Sequence, residues 1–413
     1  MTGTTPGTTP GTPSLLRAMN DRAALDLLLV HGPLSRTRIG RLTGLSKPTA
    51  SQLLARLEAR GLVVATGTAT GRPGPNAQLY AINPRAAHAA GLDVTPSRIL
   101  ASVADLSGAV VGSCELPNPG PGTPVVDQVG QALGEAVRTA GLQLADVHRL
   151  VIATPGSFDP RTGVLRYADH LPGWHSPTLL EELAAALPMP VEYENDVNLA
   201  AVAEQRLGAA RGHGDFVLLW NEEGLGAALV IGGRLHRGWT GGAGEVGFLP
   251  VPGRPLVRHV TRENSGGYQE LAGVEVLPGL AAALGIEMPG AVPRVRGAFD
   301  AAAEVAAAVA LLERAAAEPV GPHLRLLESY ATALATGLAS LVAVLDPEIV
   351  VLSGAVTAAG GDLLRELIEA ELGDLAPSRP RLVAGEVRER PVLRGALESA
   401  LTATRDEVFD TSR

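Results

Sequence analysis

The chain has 413 residues and a formal net charge of −9, a length that corresponds to two or three domains, each able to bury a sizeable core. Hydrophobic residues make up 46% and aromatics only 3%, so the cores must be aliphatic, and base recognition by rows of stacked aromatics is disfavoured. The single cysteine, Cys114, excludes an internal disulfide framework and any structural zinc site built on several thiolates.

The first residues, TGTTPGTTPGTPS, are polar and rich in Pro and Gly. They lack the basic and apolar regions of a signal peptide, and residues 1–13 are expected to form a disordered tail. Ser329–Leu345 is a long uncharged stretch but carries Tyr330, Thr332, Thr336, Gly337 and Ser340. It is expected to be too polar for a bilayer span, which implies a cytoplasmic protein with no membrane contact. Charge is uneven: through Arg85 there are ten Lys/Arg against three acids, a balance of +7, while the remainder carries −16. A basic head on an acidic body suggests a polyanionic partner for the head alone.

The spacing of Leu25, Leu28 and Leu29 predicts a first helix that ends at Gly32-Pro33. Ser35 is an N-cap for a short second helix through Ile39 and Leu42, broken at Gly44. Ser46 caps a third helix, with Pro48 in its first turn and Ala50, Leu53, Leu54 and Leu57 as its apolar stripe. Leu62–Ala65 and Gln78–Ile82 read as two strands joined by a Gly/Pro-rich loop that contains Arg72. Three helices and a β-wing make a winged helix-turn-helix over residues 14–84, in which the third helix reaches base edges of double-stranded DNA. The candidate DNA-binding residues are Lys47, Thr49, Ser51, Gln52 and Arg56, with Arg72 on phosphate or in the minor groove. The alternative is a three-helix module used only for packing or dimerisation.

After Asn83-Pro84 the pattern becomes α/β. Gly91–Val94, Ile99–Asp105 and Ala109–Glu115 read as strands, followed by a helix over Val125–Ala140 and a strand at Leu150–Thr154. Further strands are predicted at Phe216–Trp220, Ala227–Ile231 and Glu348–Leu352, and a helix at Ala301–Ala317.

Several segments in order carry a family likeness. They are GPLSRTRIGRLTGLSKPTASQLLARLEARGLV, TPGSFDPRTGVL followed by LPGW, YENDVNLAAVAE, GGAGEVGF and LDPEIVVLSGA. From about Ser14 to the C-terminus the chain resembles the ROK family (repressors, open reading frames, kinases), specifically its transcriptional regulators with an N-terminal winged helix. The resemblance implies a two-lobed, actin-like ATPase body over residues 85–413.

Family kinases carry D-x-G-G-T-K in the first hairpin, where glycines let backbone amides close around phosphate. Here the stretch is Asp93-Val94-Thr95-Pro96-Ser97-Arg98, and Pro96 removes a donor and restricts φ. The family's second phosphate loop, G-T-G, aligns with Glu222-Glu223-Gly224. Like charges about 4 Å apart cost on the order of 4 kcal/mol at an effective dielectric of 20, so this loop should repel ATP. The expectation is a body without kinase activity and without a cofactor. Zinc is not expected either, because Phe248 replaces the family's metal-binding His and the following stretch, which contains His259, has no Cys.

On the sugar side, Asn195, Asp196, Glu245 and Glu270 match the positions with which the family binds sugar hydroxyls, and Asp196 matches its catalytic base. The resemblance therefore implies a transcriptional regulator, in its leading form a repressor, whose degenerate kinase-like domain senses a sugar or sugar derivative. It would act as a homodimer or tetramer on a palindromic operator. The alternatives are an active ATP-dependent sugar kinase with a DNA-binding head, and a regulator switched by a protein partner, to which Phe248 points. Asn195 and Asp196 also have a purely structural reading, as caps of the helix through Ala200 and Ala203. Trp174 reads as a packing residue.

Overall fold

A computed structural model of the chain describes residues 13–68, 77–159, 162–166, 171, 173–258, 266–289 and 301–411. The expected tail therefore lies outside the described residues except for Pro13, which opens the first helix; Arg72 and His259 lie outside them as well.

The head runs α1 (Pro13–His31), β1 (Leu34–Ser35), α2 (Arg36–Thr43), α3 (Lys47–Ala59), β2 (Val63–Thr68) and β3 (Gln78–Ile82). Its turns are set by local chemistry. Ser35 Oγ accepts from the Arg38 amide at 3.3 Å, Ser46 Oγ from the Thr49 amide at 3.4 Å, and Gly44 ends α2 in the left-handed region at φ 72. Ala50, Leu53, Leu54 and Leu57 of α3 are all buried, as their spacing predicts. The wing is a three-stranded antiparallel sheet of order β1-β3-β2, in which the two-residue β1 is an addition to the sequence expectation.

The body's first lobe contains β4 (His88–Val94), β5 (Arg98–Asp105), β6 (Val110–Pro117), α4 (Val125–Thr139), β7 (Val147–Thr154), β8 (Ser157–Asp159), β9 (Val164–Arg166), α5 (Leu179–Ala186), β10 (Val191–Asn195) and α6 (Asp196–Leu207). Its sheet order is β10-β7-β4-β5-β6, an antiparallel meander followed by two parallel strands. The second lobe contains β11 (Phe216–Asn221), β12 (Leu225–Ile231), β13 (Arg234–Leu235), α7 (Gly267–Ala272), α8 (Leu277–Ala283), α9 (Ala301–Ala317), α10 (Pro322–Leu345), β14 (Ile349–Ser353), α11 (Ala355–Ala359), α12 (Gly361–Leu375), β15 (Arg381–Ala384) and α13 (Pro391–Val408). Its sheet, β13-β12-β11-β14-β15, repeats the same pattern of meander and parallel pair.

Strand β4 is buried along its whole length, the mark of a strand covered on both faces. Ala90, Leu92 and Val94 pack with α4 and α5, while Ala89 faces a second core formed by α6 and α13. That second core also takes Phe216, Leu218, Val230, Ile349 and Val351 of the other lobe's sheet. Helices α6 and α13 thus form a shared layer between the two sheets. The layer is tight enough to need glycine: a Cβ on Gly395 would lie 1.8 Å from the Leu199 carbonyl oxygen, and one on Gly91 2.9 Å from the Leu397 nitrogen.

Helix α10 corrects one expectation. It is 24 residues long and apolar enough to cross a membrane by length and composition, although the sequence suggested a stretch too polar for that. It is nevertheless a core helix. Leu326, Leu327, Leu334 and Leu338 are buried, Tyr330 bonds Asn221 and the Ala272 carbonyl, and a Cβ on Gly337 would meet the Tyr268 ring at 2.3 Å.

Candidate functional site

Both lobes contribute carboxylates to the cleft between them. Asp93 is the last residue but one of β4, Asp196 opens α6, Glu222 follows β11 and Glu245 lies on the loop after β13. In the first sheet, Asp93 pairs with Ala153 of β7 and Asn195 with Thr154, so the two flank one strand at its C-terminal end. Gly226 of β12 brings the second lobe onto the first turn of α6, since a Cβ there would lie 3.1 Å from Val197 Cγ2. The lobes also meet through Ser157 Oγ, which donates to Glu245 Oε1 at 2.7 Å.

Asn195 is the N-cap of α6: its Oδ1 accepts from the Asn198 amide at 3.0 Å. Its Nδ2 lies 3.0 Å from both the Gly156 carbonyl and Asp196 Oδ1. Asp196 Oδ1 also accepts from the Val197 amide at 2.8 Å. Asp196 Oδ2 and Glu245 Oε2 have no hydrogen-bond partner among the described residues. Behind Asn195, Glu194 is buried and held by Asn198 Nδ2 at 2.9 Å and Arg237 Nε at 2.5 Å. Capping and ligand contact are therefore compatible at this position: Asn195 is spent on the helix, and Asp196 keeps one oxygen for the cleft.

Glu270 is the fourth candidate of the sugar side. It lies on α7, 3.7 Å from Arg254. Phe248 ends a 3-10 turn directly after Glu245 and is half-buried. Trp174 is 3% exposed and edge-packed on Tyr193 at 6.1 Å, a packing residue as expected. No three His, Cys, Asp or Glu side chains come together as metal ligands among the described residues.

Burial raises the pKa of these carboxylates, and at Asp196 and Glu222 neighbouring carboxylates add to it. Burial, with the charges of Asp93, Glu245 and Glu222 added, pushes Asp196 up to about 7. Burial, Glu223 and Asp93 push Glu222 up to about 7, against the opposing pull of Arg98 and of the Ala355 amide, which donates to it. Asp93 is pushed by burial to about 6 despite Arg98 and Arg390, and burial also raises Glu245. The native state therefore keeps protons that the unfolded chain releases between about pH 4 and pH 7, and its stability falls as pH rises through that window. The melting temperature at about pH 5.5 is expected to exceed that at about pH 8, with a smaller difference in Asp196→Asn. A higher melting temperature at the alkaline end would show that these charges are not buried together.

In the head, Lys47, Thr49 and Gln52 are exposed at the start of α3. Ser51 is half-buried; its hydroxyl lies 3.0 Å from Arg36 Nη1 and donates to the Lys47 carbonyl at 2.9 Å. Arg56 has a partner within the head that the sequence did not suggest. Its Nη2 binds Asp21 of α1 at 2.7 Å, and Asp21 is only 3% exposed. The guanidinium thus joins α3 to α1, and removing it would leave a buried carboxylate without its cation.

A basic winged helix joined to a body of two repeated lobes around an acidic cleft defines a two-lobed, actin-like protein with a helix-turn-helix head. The ROK family profile matches residues 89–403, which is 315 of the 413, and the MarR family profile matches residues 20–72. The chain belongs to the ROK family. It is 35% identical over 223 residues to the bifunctional enzyme NanE/NanK of Brucella suis, a match covering 53% of this chain and 36% of that one. It is 24% identical over 254 residues to the xylose repressor of Bacillus subtilis, covering 58% of this chain and 62% of the repressor. The chain thus spans about a third of the length of the Brucella enzyme and less than two thirds of the repressor. In fold it resembles a solved ROK family transcriptional regulator described as a homologue of the Escherichia coli MLC protein, with TM-score 0.72, 18% identity, and coverage of 96% of this chain and 98% of that one.

Proposed function

We propose that the protein is a DNA-binding transcriptional repressor whose interlobe cleft senses a sugar or sugar derivative and whose body has no kinase activity. What supports this reading is the pairing of an exposed, capped third helix in a basic head with loops that, where the family's kinases carry glycines, hold Pro96 and the carboxylates of Glu222 and Glu223. At the first hairpin, the Thr95 amide donates to the Arg98 carbonyl at 2.9 Å, the Arg98 amide donates to Thr95 Oγ1 at 3.2 Å, and Pro96 has no amide hydrogen. At the second, the Glu222 carboxylate already accepts from the Ala355 amide. On the sugar side, Asp196 Oδ2 and Glu245 Oε2 supply acceptors for vicinal hydroxyls, with Asn195 holding Asp196 in place. The likeness to a xylose repressor supports the sugar class. Two heads in a homodimer or tetramer would meet the two halves of a palindromic operator.

Fluorescence anisotropy on the DNA upstream of the protein's own gene, against scrambled DNA, tests the reading. Specific binding released by a pool of monosaccharides and their phosphates is the expected result. Equal affinity for both DNAs across several promoters would overturn it.

A second reading, an ATP-dependent sugar kinase with a DNA-binding head, is favoured by Asp93, Asp196 and Glu245 facing one cleft and by the likeness to NanE/NanK. Sugar-dependent ADP formation that is lost in Asp196→Ala would establish it in place of the first.

A further inference from the structure

The last helix of the body ends inside the core of the head. Phe409, the residue after α13, is 1% exposed and packs in one cluster with Leu25, Leu28, Leu57, Leu62 and Ile82. Polar contacts surround it. Arg22 lies 5.6 Å over the Phe409 ring and 2.8 Å from Asp406, and Arg60 donates to the Asp410 carbonyl at 3.3 Å. Thr411 Oγ1 donates to Asp21 Oδ2 at 3.2 Å, while Asp21 Oδ1 accepts from Arg56 of α3. One buried carboxylate therefore joins the C-terminal residues to the helix that carries Lys47, Thr49 and Gln52.

The other end of α13 lies at the cleft. Arg390 precedes it at φ 49, binds Glu115 at 3.1 Å and lowers the pKa of Asp93. Between its ends, α13 is locked to α6 through Gly395 and to β4 through Gly91. Near the head, Arg405 Nε and Nη2 both reach the Leu106 carbonyl at 3.1 Å. With 18 residues at about 1.5 Å each, the helix spans about 27 Å. The covalent route from head to body is separate and short, running through residues 83–87.

We propose that residues 406–411 clamp the head in one orientation on the body, so that α13 carries shifts of the interlobe layer to α3. What such shifts would control rests on the regulator reading above; the clamp itself does not. Its test uses the full chain in a Cys114→Ser background, with spin labels at Val30→Cys on the head and Val344→Cys on the body. Those positions are 77% and 82% exposed.

The parent is expected to give one narrow distance by pulsed electron resonance. Two clamp variants are compared with it: Phe409→Ala, and Asp406→Asn with Thr411→Val, which leaves the ring in place. Freed of the clamp, the head is held by residues 83–87 and by Ala87 and Leu106, which share its core, and the loss of one of its two attachments should broaden the distribution. Amide exchange of α2 and α3 reports whether the head stays folded. Broadening in either variant with those amides still protected supports the clamp. An unchanged distribution in both variants overturns it, as does an unchanged distribution in the double variant when Phe409→Ala unfolds the head. Failure of the parent to bind specific DNA would overturn the regulator reading and leave this result standing.

Discussion

Gly395→Ala is expected to destabilise the body, although replacing glycine by alanine inside a helix ordinarily gains about 1 kcal/mol. The added methyl would sit 1.8 Å from the Leu199 carbonyl oxygen and 2.5 Å from its carbon, both backbone atoms that no rotamer change can move. Helix α13 must then shift away from α6, and because both helices lie between the two sheets, the displacement is felt in each lobe. Overpacking of a tight core costs about 1–3 kcal/mol, and rigid contacts place this site at the upper end, so the net loss is expected to be about 2 kcal/mol. Gly134→Ala is the control. That residue lies in α4 with nothing within 4 Å of the added carbon, and the variant should gain up to about 1 kcal/mol. Equal, positive changes in denaturant midpoint for both variants would show that α6 and α13 are not in backbone contact.

Gln52→Ala and Arg56→Ala should separate DNA reading from scaffolding in the head. Gln52 is exposed on α3, and loss of a base contact costs about 1–3 kcal/mol, roughly a 5- to 150-fold loss of operator affinity, with no change in melting temperature. Lys47→Ala should lower the slope of log affinity against log salt by about 1 if its ammonium lies on phosphate. Arg56→Ala acts through stability. It leaves Asp21, 3% exposed, with Thr411 as its remaining side-chain partner. Breaking a buried pair costs about 3–5 kcal/mol, and since the Arg56 side chain is 40% exposed the expected loss is nearer about 1–3 kcal/mol. Thermal melts of the three variants beside salt-dependent anisotropy check both statements. An Arg56→Ala protein as stable as the parent, with weakened operator binding, would return Arg56 to the reading face.

Much of the head was legible in the sequence because its signals are local. Ser35, Ser46 and Gly44 act on amides and dihedrals within three or four residues, and the stripe of α3 is a matter of helical period. The same holds for the strands at Phe216, Ala227 and Glu348, which are runs of apolar residues bounded by turns. Short elements left little trace: β1 and β13 have two residues each, and β8 and β9 three each, too few for a period to show. The candidate residues Asn195, Asp196, Glu245 and Glu270 were legible only through ordered motifs, and the Arg254 that lies beside Glu270 left no signal.

The sequence by itself determined the basic capped head and the α/β alternation. Only the tertiary structure decided that Arg56 belongs to Asp21, 35 residues earlier, and that Phe409 belongs to the core of the head. The physical reason is range. Caps and periods are written between neighbours, while a buried carboxylate or an aromatic ring takes whatever partner the folded path brings to it, and that partner can lie hundreds of residues away.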